Sequence, residues 1–311
     1  METKIAVVGS LNMDLVVRAA HFPQPGETIL GMDFATAPGG KGANQAVAAA
    51  RMGGSVSMIG RVGNDAFGRE LLDNLKRDGV SCDGVLTTGD VRSGVALIVV
   101  DAQGQNSIVV ASGANAALSP ADIEAAAEHI RQSDCLLLQL EIPLESVIRA
   151  VEIARESKVP VVLNPAPACP LPAELLASVD ILVPNETETA FLTGLPSPEN
   201  EDEDALFAAA EALHALGVPT VIMTLGSRGA LLSKRGLRKL VPAFHIEPVD
   251  TTAAGDAFLG GFAVAFTEGK SLEEAVRQGN AAGALAATKP GAQPSLPFRG
   301  KVLDLLTARL A

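Results

Sequence analysis

The sequence predicts an α/β protein, in which a mainly parallel sheet is covered by helices on both faces and a small β region is added. Short β-branched runs alternate with longer helical patterns, as expected of parallel strands joined by helices. Two other stretches contain strand-like sequence with no helix between the strands. Apolar residues make up 48% of the 311 positions, so the chain can bury a large core.

Six apolar runs predict the strands of the main sheet, and helical patterns lie between most of them. The predicted strands are Ile5–Gly9, Val56–Arg61, Cys135–Leu140, Val159–Leu163, Ile181–Val183 and Thr220–Thr224. The predicted helices are Gly42–Met52, Phe67–Arg77, Ala121–Arg131, Leu144–Glu156 and Asp204–Leu216, and a further apolar helix follows Asp256. We therefore expect one large domain with a smaller attachment.

The attachment is predicted from Asp14–Ala35 and Gly94–Ser112. The second stretch has the pattern of a β-hairpin around a glycine-containing turn, and the first has Pro23, Pro25 and Gly26 between two extended runs. Together they form either a decorated edge of the main sheet or a lid over a substrate cleft, and we favour the lid. The expected division is residues 14–35 and 94–112 for the lid, and 1–13, 36–93 and 113–311 for the α/β domain.

Composition excludes several classes of protein. A net charge of −12 disfavours nucleic-acid binding. The longest uncharged apolar run, Ala257–Phe266, is too short to span a membrane. The three cysteines lack metal-ligand spacing and the four histidines are scattered, which favours a reducing, cytoplasmic environment and no zinc site.

The strongest chemical motif runs from Asp250 to Asp256. Three small residues, Ala253, Ala254 and Gly255, precede Asp256 and would let a phosphate approach the backbone N–H groups at the start of a helix. An ionised carboxylate beside such an anion hole suits a kinase, because it can accept the proton of the attacking hydroxyl. The alternative is a structural N-cap aspartate.

The run Pro38–Gln45 places three glycines around Lys41 at the start of an alanine-rich helix. It lacks the Walker spacing, and no Gly-x-Gly-x-x-Gly follows the first strand. Gly40, Lys41, Gly42, Ala43 and Asn44 therefore suit either hydrogen bonding to a polyol or a simple helix-opening turn.

Further polar residues follow predicted strands, where open α/β sheets place their ligands. Asn12 and Asp14 suit vicinal hydroxyls, although a turn with Asx hydrogen bonds is the alternative. Glu141 and Asn185 follow two later strands. The run Thr224-Leu225-Gly226-Ser227-Arg228-Gly229 could cradle a nucleotide phosphate.

Taken together, these motifs closely resemble the ribokinase branch of the PfkB-type sugar kinases, from the first strand to the run Gly291–Ser295. The resemblance implies a three-layer, ribokinase-like α/β/α sandwich with a small β lid that pairs two subunits. It implies transfer of the γ-phosphoryl group of ATP to the 5-hydroxyl of ribose.

The resemblance also implies roles for residues that match the family motifs. Asp256 would be the catalytic base, with Ala253, Ala254 and Gly255 as the anion hole. Ribose would be held by Asn12, Asp14, Gly40, Lys41, Gly42, Ala43, Asn44, Glu141 and Asp256. The nucleotide would be held by Asn185, Thr224, Leu225, Gly226, Ser227, Arg228, Gly229, Gly255 and Asn280, with Mg²⁺ near Asn185. Many ribokinases have histidine at the position of Asn280. A potassium ion would be bound by Asp250, Thr252, Ala286, Lys289, Gly291 and Ser295, with Lys289 contributing only its carbonyl.

Three alternatives to this reading remain open on the sequence. The chain could phosphorylate another neutral sugar, such as 2-deoxyribose or a nucleoside; a sugar phosphate is disfavoured because Lys41 is the only cation of the inferred site. It could be a non-catalytic sugar or nucleotide sensor on the same fold, although Asp256 is retained. A dinucleotide-dependent dehydrogenase fits the alternation but lacks the fingerprint.

Overall fold

The computed structural model describes residues 3–197 and 203–308, and the strands in these ranges form two separate sheets. Numbered along the chain, the strands of the larger sheet are β1 (Lys4–Val8), β4 (Ser55–Gly63), β5 (Ser81–Thr88), β8 (Cys135–Leu138), β9 (Val161–Leu163), β10 (Ile181–Leu182), β11 (Thr220–Thr224), β12 (Ala230–Lys234) and β13 (Leu237–Val241). The strands of the smaller sheet are β2 (Asn12–Arg18), β3 (Asp33–Gly39), β6 (Gly94–Val100) and β7 (Asn106–Ala111).

The larger sheet has the order β13-β12-β11-β10-β9-β8-β1-β4-β5. All neighbours from β11 to β5 pair in parallel, which confirms the prediction of a mainly parallel sheet. The last two strands, β12 and β13, extend one edge in antiparallel pairing. Because β1 has β4 on one side and β8 on the other, the strand order changes direction at β1, and open α/β sheets place their ligands at the carboxyl edge beside such a point.

Helices cover both faces of the larger sheet. They are α1 (Lys41–Arg51), α2 (Ala66–Arg77), α3 (Pro120–Ala125), α4 (Ala127–Arg131), α5 (Leu144–Glu156), α6 (Ala173–Leu176), α7 (Glu186–Thr193), α8 (Glu203–Ala215), α9 (Ala254–Thr267), α10 (Leu272–Ala286) and α11 (Arg299–Ala308). Short 3₁₀ turns lie at Gly113–Ala117, Gly226–Arg228 and Gln293–Ser295. The predicted helix Ala121–Arg131 is divided in two at Ala126.

Alternate side chains of β1 enter two different cores. Ile5 and Val7 pack with α1, α9 and α10, whereas Ala6 and Val8 pack with α5 and α8 on the opposite face. This alternation follows from the two-residue period of a strand and produces the three-layer sandwich. Within the described residues, no helix is both long and apolar enough to cross a membrane.

The smaller sheet has the order β3-β2-β6-β7 and is a separate layer. Its strand β2 pairs in parallel with β6 and in antiparallel with β3, so that Asn12 lies opposite both Gly94 and Gly39. The smaller sheet thus contains residues 12–13 and 36–39 in addition to residues of the predicted lid ranges, 14–35 and 94–112. Its exposed apolar side chains include Phe34, Leu97, Ile108, Val109 and Val110.

Candidate active site

The carboxyl ends of five parallel strands bring the predicted site residues to one edge of the larger sheet. Residues at and beyond the ends of β9, β10 and β11, together with Lys41 on α1 and the start of α9, line a cavity of about 220 Å³. Its wall contains Lys41, Asn164, Ala166, Val183, Asn185, Glu188, Thr224, Thr251, Ala253, Gly255, Asp256 and Leu259. Residues predicted for catalysis, sugar binding and nucleotide binding therefore share one cavity.

Asp256 lies in the first turn of α9 and is only 6% exposed. Its carboxylate accepts one hydrogen bond from Asn44 Nδ2 at 2.9 Å and one from Gln45 Nε2 at 3.0 Å. Burial raises the pKa of this carboxyl group, while the nearby Lys41 ammonium and the two amide donors oppose the rise. The structure thus holds a carboxylate away from water and near a cation, as a general base requires.

The chain enters α9 through Ala253, which has the left-handed conformation with φ 58°. A residue with a side chain is strained in this conformation, so the surrounding structure imposes the turn. The Ala254 N–H donates to Thr251 O at 3.1 Å, whereas N–H groups in the first turn of a helix have no acceptor four residues back. A Cβ atom added to Gly255 would meet no atom within 4 Å, so an anion can approach the backbone there.

The glycine-rich run forms the entry to α1. Gly40 has φ +88°, and a Cβ atom there would lie 2.7 Å from Asn12 N. The same close packing continues into the helix, because a Cβ on Gly42 would lie 2.6 Å from Gly9 C, and Ala43 N donates to Ser10 O. Glycine at these positions allows α1 to begin against the loop that follows β1.

Lys41 is surrounded by carboxylates. Burial lowers its pKa, but Asp256, Glu141 and Glu188 raise it by more, so the net pKa of the ammonium is raised. Lys41 therefore stays charged and supplies positive charge inside the cavity that it lines.

The predicted sugar-binding residues meet where the two sheets join. Glu141 Oε2 accepts hydrogen bonds from Ser10 Oγ at 2.5 Å, from Lys41 N at 3.1 Å and from Asn12 Nδ2 at 3.4 Å. Asn12 Oδ1 accepts from Asn115 Nδ2 at 2.8 Å. These bonds fix hydrogen-bond donors and acceptors around a single position. A polyol needs partners of both kinds, because each of its hydroxyl groups can donate and accept.

Asp14 lies two residues after Asn12 and therefore on the same face of β2. Burial, together with the charges of Glu141 and Asp256, raises its pKa from 3.8 to about 7. Its carboxylate is stacked on the backbone of Gly39, where an added Cβ would lie 2.3 Å from Asp14 Oδ2.

The predicted nucleotide residues form a second group beside the cavity. Thr224 lines the cavity and is followed by the turn in which Gly226 and Gly229 have positive φ. Asn280 Nδ2 donates to Val241 O at 2.9 Å, and a Cβ on Gly229 would lie 2.1 Å from the same oxygen. The turn Leu225–Gly229 and Asn280 therefore both lie against the backbone at Val241. Ser227 is exposed, and Arg228 forms an ion pair with Glu186.

The predicted cation-binding residues lie in two segments, one before α9 and one from the end of α10 onward, and Asp250 ties these segments together. Its carboxylate accepts from Thr252 N at 2.9 Å, from Thr252 Oγ1 at 2.6 Å and from Gly291 N at 2.8 Å. Burial raises the pKa of Asp250, but these bonds, with Arg18 nearby, lower it overall. Of the other predicted positions, Ala286 is the last residue of α10, Lys289 lies in the loop that contains Gly291, and Ser295 ends a 3₁₀ turn and is fully buried.

Glu188 is a functional candidate that the sequence reasoning missed. It is 7% exposed, lines the cavity, and forms a capping box with Asn185 at the start of α7. Burial raises its pKa, while the Asn185 N–H and Lys41 lower it. Oxygen ligands of this kind suit Mg²⁺. The signal was present in the sequence, since Asn185-Glu186-Thr187-Glu188 has the spacing of a capping box.

Gln45 and Asn164 were missed for a different reason. Gln45 lies at the end of the glycine-rich run and on the same helix face as Lys41, four positions earlier, yet its contact with Asp256 joins residues 211 positions apart. Asn164 follows β9 and lines the cavity. Its position after a buried strand was the available signal.

Comparison with known proteins agrees with this geometry. The family model of the pfkB family carbohydrate kinases matches residues 2–299. A ribokinase of Haemophilus influenzae is 45% identical over 306 residues, covering 98% of this chain and 99% of the relative. A deoxyribokinase of Salmonella typhimurium is 40% identical over 94% of this chain and 95% of the relative. The solved structure of Arabidopsis thaliana ribokinase with ribose and ATP has a TM-score of 0.92 and 39% identity, covering 98% of this chain and 99% of that chain.

The chain therefore belongs to the pfkB family of carbohydrate kinases and is an ATP-dependent sugar kinase. Its fold is the ribokinase-like α/β fold, and its extensive similarity to ribokinases confirms the resemblance and the fold class predicted from the motifs.

Proposed function

We propose that this chain transfers the γ-phosphoryl group of ATP to the 5-hydroxyl of D-ribose, giving D-ribose 5-phosphate and ADP. The observation that carries the proposal is the buried Asp256 carboxylate in the first turn of α9, in one cavity with Lys41 and Gly255. A sugar hydroxyl beside Asp256 would be activated where a phosphoryl group can approach the helix start.

Asp256 acts as the general base. It accepts the proton of the 5-hydroxyl as the oxygen attacks phosphorus, and the N–H groups at the start of α9 stabilise the charge on the transferring group. Lys41, which stays charged, adds to this stabilisation. Because Asp256 is buried and Lys41 lines the same cavity, fixed dipoles rather than bulk water surround the reacting atoms.

Ribose is held by the residues assigned in the sequence analysis, with Glu141, Asn12 and Asp14 as its main polar contacts. In support, Asn12, Asp14 and Asn44 are buried, and Glu141 is linked by hydrogen bonds to Asn12 and Lys41. The 40% identity to a deoxyribokinase favours one second candidate, 2-deoxyribose. A site that hydrogen-bonds the 2-hydroxyl would reject the deoxy sugar strongly, because its polar groups would remain unpaired.

ATP is held by the turn Leu225–Gly229 with Thr224 and Asn280. Mg²⁺ would be held by Asn185 and Glu188, directly or through water, and would neutralise charge on the phosphates. A potassium ion would be held by the loops that Asp250 joins, since a carboxylate and main-chain carbonyls suit a weakly hydrated cation. The support is the set of bonds from Thr252 and Gly291 that fixes the Asp250 carboxylate.

We also propose that the smaller sheet is the lid of the site and pairs two subunits. Asn12 and Asp14 belong to its strand β2, so closure over a sugar would bring them to the ligand. Exposed apolar side chains such as Phe34, Val109 and Val110 offer a surface for a second copy.

All three cysteines are free thiols, which fits a reducing, cytoplasmic location.

The first test is Asp256→Asn, which preserves shape and removes the base. General-base catalysis contributes about 10²- to 10⁴-fold to a rate, and we expect turnover to fall by at least about 10³-fold. Ribose binding, measured by calorimetry, should be retained. Asp73→Asn, at an exposed position of α2, is the matched control and should leave turnover unchanged. Near-normal turnover in Asp256→Asn would contradict the assignment of the base.

The substrate is tested by ATP consumption with ribose, 2-deoxyribose, fructose, fructose 6-phosphate and adenosine. A preference for ribose, with ribose 5-phosphate as the product, supports the proposal. A preference for another acceptor would overturn the choice of sugar but not the mechanism. No turnover in folded protein would favour a sensor.

A further inference from the structure

Two buried glutamine side chains, Gln45 and Gln139, are linked in series to the Asp256 carboxylate. Gln45 is fully buried and donates from Nε2 to Asp256 Oδ1 at 3.0 Å. Gln139 is also fully buried and donates from Nε2 to Gln45 Oε1 at 2.5 Å. Neither glutamine belongs to the wall of the cavity described above.

The orientation of the Gln45 amide is fixed by three contacts. Its oxygen accepts from Gln139, and its nitrogen donates to Asp256 and to Asn164 Oδ1, the last at 3.5 Å. Asn164 is itself oriented, because its Nδ2 donates to Val183 O at 2.9 Å. A Gln45 amide turned by 180° would face the Asp256 carboxylate with its oxygen and Gln139 Nε2 with its nitrogen, so both contacts would become repulsive.

We propose that Gln45 is a positioning residue for Asp256, and that Gln139 fixes the orientation in which Gln45 acts. This inference rests on the proposed role of Asp256 as the base. Asn44 binds Oδ2 and Gln45 binds Oδ1, so two donors on one helix fix the plane of the carboxylate. Both bonds favour the ionised form, which is the form that accepts a proton.

The charged groups around Asp256 do not by themselves favour its ionised form, so they cannot take over the role of the Gln45 donor. Lys41, on α1, favours ionisation of Asp256, whereas Glu141, in the loop after β8, opposes it. The carboxyl groups of Asp14, on β2, and Glu188, on α7, also interact with Asp256 and oppose its ionisation. Burial and three carboxyl groups raise the pKa of Asp256, and Lys41 and the two amide donors oppose this rise, so loss of the Gln45 donor should raise the pKa further.

The test is Gln45→Met, which keeps the length of the side chain and removes the donor. The measurement is kcat/KM for ATP against pH at saturating ribose, so that sugar contacts are already made when the base titrates. We expect the acidic limb to move upward by about one pH unit, a change equivalent to about tenfold in kcat/KM on the acidic side. Ribose affinity should change little. Gln139→Met, one step further away, should move the limb in the same direction by less.

Gln278→Met is the matched control. Gln278 is also buried in a helix and makes two hydrogen bonds, to Gly261 O and with Lys270 Nζ, but does not contact Asp256. This variant should lose stability without moving the acidic limb. If Gln45→Met and Gln278→Met have the same acidic limb as the parent, Gln45 is only a packing residue and the inference is overturned. If Asp256→Asn keeps its turnover, the base assignment itself fails, which is a separate result.

Discussion

Asp14→Asn should make the protein more stable at neutral and alkaline pH, although Asp14 is assigned to the sugar site. The Asp14 carboxyl is buried beside Glu141 and Asp256, and its pKa is raised from 3.8 to about 7. Ionising this group therefore costs more in the folded protein than in the unfolded chain. Asparagine preserves the shape of the side chain and carries no charge to desolvate.

The size of the effect follows from the shift in pKa. A rise of about 3 pH units corresponds to about 4 kcal/mol of free energy, at 1.36 kcal/mol for each unit. Between pH 3.8 and about 7, the folded protein retains the Asp14 proton while the unfolded chain has lost it. The free energy of unfolding of the parent consequently falls as pH rises through this window and is constant in this respect above it. Asp14→Asn lacks this contribution.

Urea unfolding at pH 4, 6 and 8 tests the argument. The difference in unfolding free energy between Asp14→Asn and the parent should be small at pH 4 and should increase by up to about 4 kcal/mol at pH 8. Asp73→Asn, at an exposed position, is the control for a lost surface charge. A difference that does not change with pH would refute the reasoning, because a desolvated carboxylate must give a pH-dependent one.

Two further substitutions test the packing that supports the site. Gly40→Ala should lower stability and ribose affinity, because φ is +88° and the new Cβ would lie 2.7 Å from Asn12 N; we expect a cost of more than about 2 kcal/mol in urea unfolding. Gly26→Ala, where φ is +84° and no atom lies within 4 Å, is the matched control, and equal costs would show that the steric contact is irrelevant. Arg51→Gln should cost about 3 kcal/mol or more in thermal or urea unfolding, since it breaks a half-buried pair with Asp78 at 2.7 Å. Arg149→Gln, whose partners are more exposed, should cost much less than Arg51→Gln, and similar losses in both arginine variants would contradict this account.

The parallel part of the fold could be predicted closely because its elements have strong local patterns. Strand Thr220–Thr224 and helix Leu144–Glu156 have the predicted bounds, and β1 differs from its predicted bounds by one residue at each end. The two strands are short apolar runs, and the helix repeats buried residues such as Val147, Val151 and Ala154 at the spacing of one helix face, so the local pattern locates each element. The hairpin of β12 and β13 was missed, because the exposed edge strand Leu237–Val241 contains Arg238 and Lys239 and has no apolar alternation.

The site residues also differ in whether the sequence could predict them. Residues within contiguous motifs, such as Lys41 and Asp256, could be found because the motif itself implies a chemistry. The bond between Gln139 and Gln45 joins positions 94 apart in the chain, and nothing near either residue indicates the other. Such contacts depend on the packing of α1 against the strand ends, which only the folded structure provides.

The strand β2 lies close to the α/β domain at both of its ends. At its first residue, Asn12 bonds to Glu141 and Asn115. At its last residue, Arg18 is close enough to Asp250 for its charge to lower the pKa of that carboxyl group. The two ends are six residues apart, about 20 Å at the rise of an extended chain. Any movement of β2 over a sugar bound at Asn12 and Asp14 must therefore change the distance between Arg18 and Asp250. A pair of probes attached near these two residues would report sugar-induced motion as a change in that distance.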